Sequence, residues 1–256
     1  MAIIIKTAEE IAALREAGRI TGGALEAVRH AVRPGVTTAE LDAIAEDFIR
    51  SHAAVPTFLH YPNPSYSQAP YPATITASIN DELVHGIPGP RKLKAGDIVS
   101  IDCGCTYMGF VGDAAFTVGI GLISEEAERL VRVTKEALDK AIEVSRAGNR
   151  LGDVSAAVQR YAESHGYNVV REYTGHGVGR EMHEDPLIPN WGTPRTGVFL
   201  RAGMVYAPEP MLMIGKPAVY VKRDLWTVAT RDHSLCAHFE HTIAVTDGEA
   251  EILTLP

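Results

Sequence analysis

What most constrains this chain is that it nearly repeats itself. With a shift of 113 residues, Ile20 falls on Val133, Thr21 on Thr134, Leu25 on Leu138, Arg33 on Arg146 and Gly35 on Gly148. Further along the same register Leu41 falls on Val154, Phe48 on Tyr161, and Ser51-His52 on Ser164-His165. So many matches in one ungapped register point to a duplication. Each copy opens on helical patterns. Ile11, Leu14, Ala17, Ile20, Ala24, Leu25 and Val28 recur at helical spacing behind Thr7 and Glu10, the residue pair of a capping box. After the Pro34-Gly35 break, Thr37 and Glu40 form a second box, and Leu41, Ile44, Ala45, Phe48 and Ile49 make a buried stripe. In the second copy Ser124 caps a helix with Glu125 and Glu126 in its first turn and Leu130, Val133, Ala137, Leu138 and Ala141 along one side.

The strand-rich parts repeat too, and there the coincidence touches chemistry. LKAGDIVSID (93 to 102) lies over LRAGMVYAPE (200 to 209), which matches Asp102 with Glu209. GDAAFTV (112 to 118) lies over FEHTIAV (239 to 245), which matches Asp113 with Glu240. IVSIDCG and FVGDAAFTVGIG read as strands about a turn at Met108 and Gly109, and MVYAPEPML and CAHFEHTIAV are expected to behave likewise. The expectation is one catalytic domain over 1–256, with similar halves at roughly 8–118 and 124–250 joined near 119–124. Each half holds a helix pair followed by antiparallel strands, with the site where the halves meet. PNPSYSQAPYP (62 to 72) reads as an ordered loop.

Asp102 lies among Ile98, Val99 and Ile101, and burying an unpaired carboxylate there costs several kcal/mol. As cross-strand neighbours, Asp102 and Asp113 come within reach of one ion. The strands around Asp102, Asp113 and Glu209 hold no Lys or Arg, so a metal is the better compensation for four matched carboxylates. His176, between Gly175 and Gly177 in TGHGVG, supplies a nitrogen. Carboxylate and imidazole together suit manganese, iron, cobalt or zinc without selecting among them. Five such ligands suffice for two divalent ions with positions left for water. His85 in ELVHGIP and His183 in REMHEDP stand at comparable places in the two halves, as groups flanking that centre.

A formal net charge of -8 leaves no basic footprint for nucleic acid, so DNA is not expected as a partner. The apolar run at residues 1 to 5 is too short for a signal peptide or membrane span. Three cysteines, Cys103, Cys105 and Cys236, cannot all pair, which fits a reducing cytoplasm and plain core roles.

SINDELVHGIP, GDIVSIDCG, GFVGDAAFTV, GHGVGREMHEDP, LRAGMVYAPEPM and FEHTIAVTDGEAEILT occur in the order and spacing of type I methionine aminopeptidases, which the chain resembles over nearly its whole length. The resemblance implies the pita-bread fold, an α+β architecture of two pseudo-symmetric halves in which helices cover a curved, mainly antiparallel sheet and a dimetal site lies at the centre. It implies metal ligation by Asp102, Asp113, His176, Glu209 and Glu240, with Asp113 and Glu240 bridging. It gives Glu209 the role of proton acceptor, and makes His85 and His183 the residues contacting the scissile amide and polarising its carbonyl. The implied methionine pocket draws on Phe58, Tyr61, Tyr71, Met182 and Trp226. Two departures bear on its shape: the loop 62–70 is longer than in many relatives, and Thr76 stands where a cysteine is often found. The implied activity removes N-terminal methionine before a small second residue. Nascent polypeptides are the implied substrates, with ribosome association and a monomeric state expected. The rivals are an Xaa-Pro aminopeptidase or prolidase, whose usual extra N-terminal domain residues 1 to 10 leave no room for, and a non-catalytic binding relative.

Overall fold

Helix formation follows the capping signals. In the computed structural model, which describes residues 2–63 and 69–256, the Thr7 hydroxyl accepts from the Glu10 amide and the Glu10 carboxylate accepts from the Thr7 amide. Helix α1 (Ala8–Ala31) starts there. Thr37 and Glu40 make the same reciprocal pair ahead of α2 (Thr38–Ser51), and Ser124 accepts from the Ala127 amide at the head of α3 (Glu125–Val144). The shift of 113 carries α2 onto α4 (Leu151–Ser164) end for end. Even the C-terminal details repeat. His52 Nδ1 lies 2.9 Å from the Phe48 carbonyl and His165 Nδ1 lies 2.9 Å from the Tyr161 carbonyl, one helical turn back in each case.

Strands Ile98–Tyr107 and Phe110–Gly119 pair antiparallel across Met108 and Gly109, both with positive φ (49° and 78°), the tight turn whose twist suits a hairpin. Ile75–Ile79 pairs with the first of these on its other side. Glu240–His241, from the far half of the chain, pairs with the second. In the later half Thr174–Gly177 lies between Glu184–Pro189 and Val205–Ala207, which in turn pairs with Ile243–Ala244. Two small sheets, Asn168–Val169 with Met211–Met213 and Cys236–His238, and Glu82–Val84 with Val228–Thr230 and Val219–Val221, complete an all-antiparallel set.

The expected hairpin arms 204–212 and 236–245 are not single strands. Pro208 and Pro210 lack an N–H to donate, so the first arm breaks into Val205–Ala207 and Met211–Met213, which belong to different sheets. The second breaks into three pieces in three sheets, one of which, Glu240–His241, carries a carboxylate into the sheet of the first half. Of the loop expected to be ordered at 62–72, residues 64–68 lie outside the described residues.

The helices cover these sheets. Leu25 of α1 and Leu41, Ala45 and Ile49 of α2 share a core with Ile101 and Phe116, while Leu130 and Val133 of α3 and Val154 and Val158 of α4 share one with Tyr206 and Leu212. Full burial of each such Leu or Ile contributes about 1.5–3 kcal/mol. Helix α1 approaches its sheet so closely that a Cβ on Gly112 would lie 2.6 Å from the Gly18 amide nitrogen. Cys103, Cys105 and Cys236 are buried free thiols. No helix among the described residues is long and apolar enough to cross a membrane.

Candidate metal centre

Strand register brings the acids together. Asp102 stands opposite Ala115, and Glu240 stands opposite Ala115 from the other side, so Asp102, Ala115 and Glu240 form one row across three strands. Asp113 lies two residues from Ala115 on the same strand and therefore on the same face. Its direct partner is Gly104, which makes Asp102 and Asp113 diagonal rather than facing neighbours. A methyl at Ala115 leaves the space between the carboxylates open. From the other half, His176 stands opposite Ala207, with Glu209 two residues beyond it. Gly175 permits this approach, since a Cβ there would lie 2.2 Å from the Ala207 carbonyl oxygen.

All five expected ligands line one cavity of about 210 Å³. His176 Nε2 lies 3.3 Å from Glu209 Oε1 and 3.7 Å from Asp113 Oδ2. Its Nδ1 donates to the Gly177 carbonyl at 3.0 Å in the tautomer that leaves the Nε2 lone pair facing the acids. The residues form two overlapping groups whose ligand atoms lie within 4.8 Å of one another: Asp113, His176 and Glu240, and Glu209, His238 and Glu240. Glu240 is common to both, the position of a bridge. Asp113 belongs to one group, and Asp102 lies outside both.

His238 was not anticipated from the sequence. It is buried and places Nε2 3.6 Å from Glu209 Oε2. The signal was available in CAHFEH, where strand alternation sets residue 238 on the same side as Glu240.

The electrostatics call for a cation. Oδ1 of Asp102, Oδ1 of Asp113, Oε1 of Glu240 and Nε2 of His238 are buried with no hydrogen-bond partner. Burial, together with the neighbouring carboxylates, pushes Asp102 up to about 7 and holds Asp113 and Glu240 well above the usual carboxylate range. Burial pushes Glu209 up to about 8. It depresses the imidazoles as well, His176 to about 3 with His183 adding to the effect, and His238 also below its usual value. Orphaned oxygens, neutral imidazoles and four crowded acids fit divalent cations of the nitrogen- and oxygen-binding kind.

Around this floor stand the other expected residues. His85 has a left-handed backbone (φ 61°), and its ring meets Tyr173 edge-on at 5.9 Å. Burial, then the nearby His238 and His183, depress it to about 4. His183 is exposed at the rim, its Nδ1 2.5 Å from the Tyr61 hydroxyl and its ring centroid 4.2 Å from that of His176. Tyr71 packs edge-on against Trp226 at 5.1 Å, and the Trp226 indole N–H donates to the Ala69 carbonyl at 3.3 Å. Phe58, Met182 and Thr76 line the same cavity. Sulfur and aromatic rings thus wall an apolar slot directly above the acids.

Known proteins resemble this chain along its whole length. The profile of Metallopeptidase family M24 matches residues 12–247. A methionine aminopeptidase of Clostridium acetobutylicum is 51% identical over 254 residues, covering 99% of each chain. The crystal structure of a methionine aminopeptidase from Thermotoga maritima covers 100% of both chains at 47% identity and a TM-score of 0.95. An Xaa-Pro dipeptidase from Bacillus anthracis is more distant, at 26% identity and a TM-score of 0.76, and the chain covers 61% of it. Through the full-length match and the pita-bread fold that goes with it, the chain belongs to metallopeptidase family M24, among its methionine aminopeptidases.

Proposed function

We propose that the chain removes the N-terminal methionine of proteins and peptides whose second residue is small. The observation that carries this reading is the slot of Phe58, Tyr61, Tyr71, Met182 and Trp226 set over the acidic and imidazole cluster. Asp102, Asp113, His176, Glu209 and Glu240 would hold two divalent ions, with His238 beside Glu209 and Glu240. Such ions, when bound, supply Lewis-acid polarisation of a carbonyl and a lowered pKa for water.

The chain's own groups do the rest. Glu209 accepts a proton from the attacking water and passes it to the departing amine. Tyr61 donates to His183 Nδ1, so that His183 Nε2 carries the proton and donates to the developing oxyanion. His85, kept neutral by burial, contacts the amide nitrogen from the opposite half. The aromatic walls exclude water and orient the methionine, while the crowded floor leaves space only for a small second side chain. Nascent chains in the cytoplasm, met at the ribosome by a monomeric enzyme, fit this chemistry because they present initiator methionine first.

Purified protein would be analysed for metal and assayed on Met-Ala-Ser against Ala-Pro and other Xaa-Pro peptides. Cleavage of Met-Ala-Ser, with the Xaa-Pro peptides left intact, is expected. The opposite preference would install the Xaa-Pro reading, and absence of both metal and cleavage would leave a binding protein.

A further inference from the structure

Trp226, a wall of the catalytic cavity, stands on a turn that an ion pair ties to the far side of its sheet. Val219–Val221 pairs with Val228–Thr230, which pairs in turn with Glu82–Val84, so the strand entering the turn lies at one edge and Glu82 at the other. Tyr220, Ala229 and Glu82 form one row across the three strands. Lys222 follows Tyr220 by two residues and shares its face, and the small Ala229 side chain leaves the lysine stem a path across the middle strand. The ammonium reaches Glu82 Oε1 at 2.6 Å, and the same oxygen accepts from the Arg91 guanidinium at 3.1 Å. Glu82 is buried, and its Oε2 accepts from the Ile79 amide at 2.9 Å, so both carboxylate oxygens are fixed.

The turn itself is stiff. The Lys222 amide donates to the Thr227 carbonyl at 2.8 Å, and the Asp224 carboxylate accepts from the amides of Trp226 and Thr227 and from the Thr227 hydroxyl. A stiff turn moves as one piece, so the bonds that leave it decide where Trp226 stands. At the tip, Trp226 Nε1 donates to the Ala69 carbonyl and Asn63 Nδ2 to the Leu225 carbonyl, each at 3.3 Å and without charge. The contact between Lys222 and Glu82 is shorter and charged on both sides, which makes it the stronger hold. We propose that Glu82 is a positioning residue for the methionine slot: acting through Lys222, it sets the height of Trp226 over the acids and thereby the preference for methionine over other apolar first residues. The proposal rests on the reading of Trp226 as a wall of that slot.

The test uses the metal-loaded full chain carrying Trp191→Phe, which leaves Trp226 as the remaining tryptophan of two. Lys222→Met is the principal variant, because Arg91 stays on the carboxylate and no buried charge is stranded. Its KM for Met-Ala-Ser is expected to rise about tenfold with kcat within about twofold of the parent, while the kcat/KM ratio of Met-Ala-Ser to Leu-Ala-Ser falls about fivefold. Trp226 emission should shift to the red and become more open to acrylamide quenching, with the thermal melt nearly unchanged. Lys222→Arg should recover both KM and emission. Glu82→Gln should reproduce the Lys222→Met values, and the double variant should go no further than either single one. Unchanged KM, peptide ratio and emission in Lys222→Met overturns the positioning role, as does a fall in melting temperature with the ratio intact. Trp226→Leu separates this from the underlying reading. A parental peptide ratio in that variant removes Trp226 from the slot and the proposal with it; a lowered ratio there, with Lys222→Met at the parental value, overturns the role of Glu82 alone.

Discussion

Lys6→Met should destabilise the protein by about 3 kcal/mol, because it strips the partner from a buried carboxylate. The Lys6 side chain is 3% exposed and that of Glu184 is 10% exposed, so water cannot replace the lost ammonium. Breaking such a pair costs about 3–5 kcal/mol. The low end applies here, because Glu184 Oε1 keeps the amides of Arg180 at 2.9 Å and Glu181 at 3.4 Å. Methionine preserves the packing of the lysine stem, so cavity formation adds little. For a chain of this size the loss corresponds to a fall in Tm of roughly 6–12 °C. Glu184→Gln in the Lys6→Met background removes the stranded charge while its amide oxygen still accepts from the two backbone amides, and should restore about 2 kcal/mol. Urea unfolding followed by far-UV circular dichroism, with chelator present throughout, reads both changes without metal linkage. A loss below about 1 kcal/mol for the single variant, or a double variant no more stable than the single, would refute the argument that this pair is a buried charge held by its partner.

Other consequences are open to direct measurement. Asp102 at about 7 and Glu209 at about 8 bind protons near neutral pH in the metal-free chain, whereas a ligated carboxylate binds none, so metal uptake should release protons and tighten as pH rises from about 6 to 8. Calorimetric titration at pH 7 in buffers of different ionisation enthalpy measures the release, and a buffer-independent heat would sink the idea. His85→Ala should retain nearly full metal content while kcat falls about 10²- to 10⁴-fold; parallel loss of metal and turnover would show that His85 does not act on the substrate. Gly112→Ala sets a Cβ 2.6 Å from the Gly18 nitrogen and 2.7 Å from the Ala17 carbonyl carbon. It should cost about 1–3 kcal/mol by overpacking and weaken metal binding through the adjacent Asp113. Gly89→Ala, where an added Cβ meets nothing within 4 Å, is the control, expected within about 0.5 kcal/mol of the parent. Equal stability of the two variants would contradict the close helix-to-sheet contact.

What the sequence made legible was local or duplicated. The capping boxes at Thr7 and Thr37 depend on residues three apart, and both form as expected. The carboxylates stood out because two copies carried them at matched positions. The diagonal placement of Asp102 and Asp113 follows from the turn at Met108 and Gly109, which pairs Tyr107 with Phe110 and so Asp102 with Ala115. The partner of Lys6 lies 178 residues away, with no periodicity to announce it. Likewise, only tertiary pairing shows that the short strand at Glu240 crosses into the sheet of the other half.

Register explains why a symmetric scaffold yields an asymmetric centre. Ser78 stands opposite Ser100 in one half as His176 stands opposite Ala207 in the other, and Thr76 stands opposite Asp102. Counting on from Ser78 and His176 by equal steps matches Val84 with Met182 and His85 with His183, and all four line the cavity from opposite sides. The copies therefore supply equivalent carboxylates and equivalent rim histidines, and they part at one matched position. There the Ser78 hydroxyl oxygen accepts from the Gly86 amide at 3.0 Å, steadying the turn behind His85, while His176 turns an imidazole toward the acids. With His238 from the same half, the imidazoles that lie among the acids come from one copy alone. An ion held near Asp113, His176 and Glu240 thus meets a different imidazole and a different second acid from one near Glu209, His238 and Glu240, and the two positions should differ in affinity. Stepwise metal titration would show two distinct binding events, with His176→Ala abolishing one and sparing the other; two identical events would mean that the asymmetry of the donors has no energetic weight.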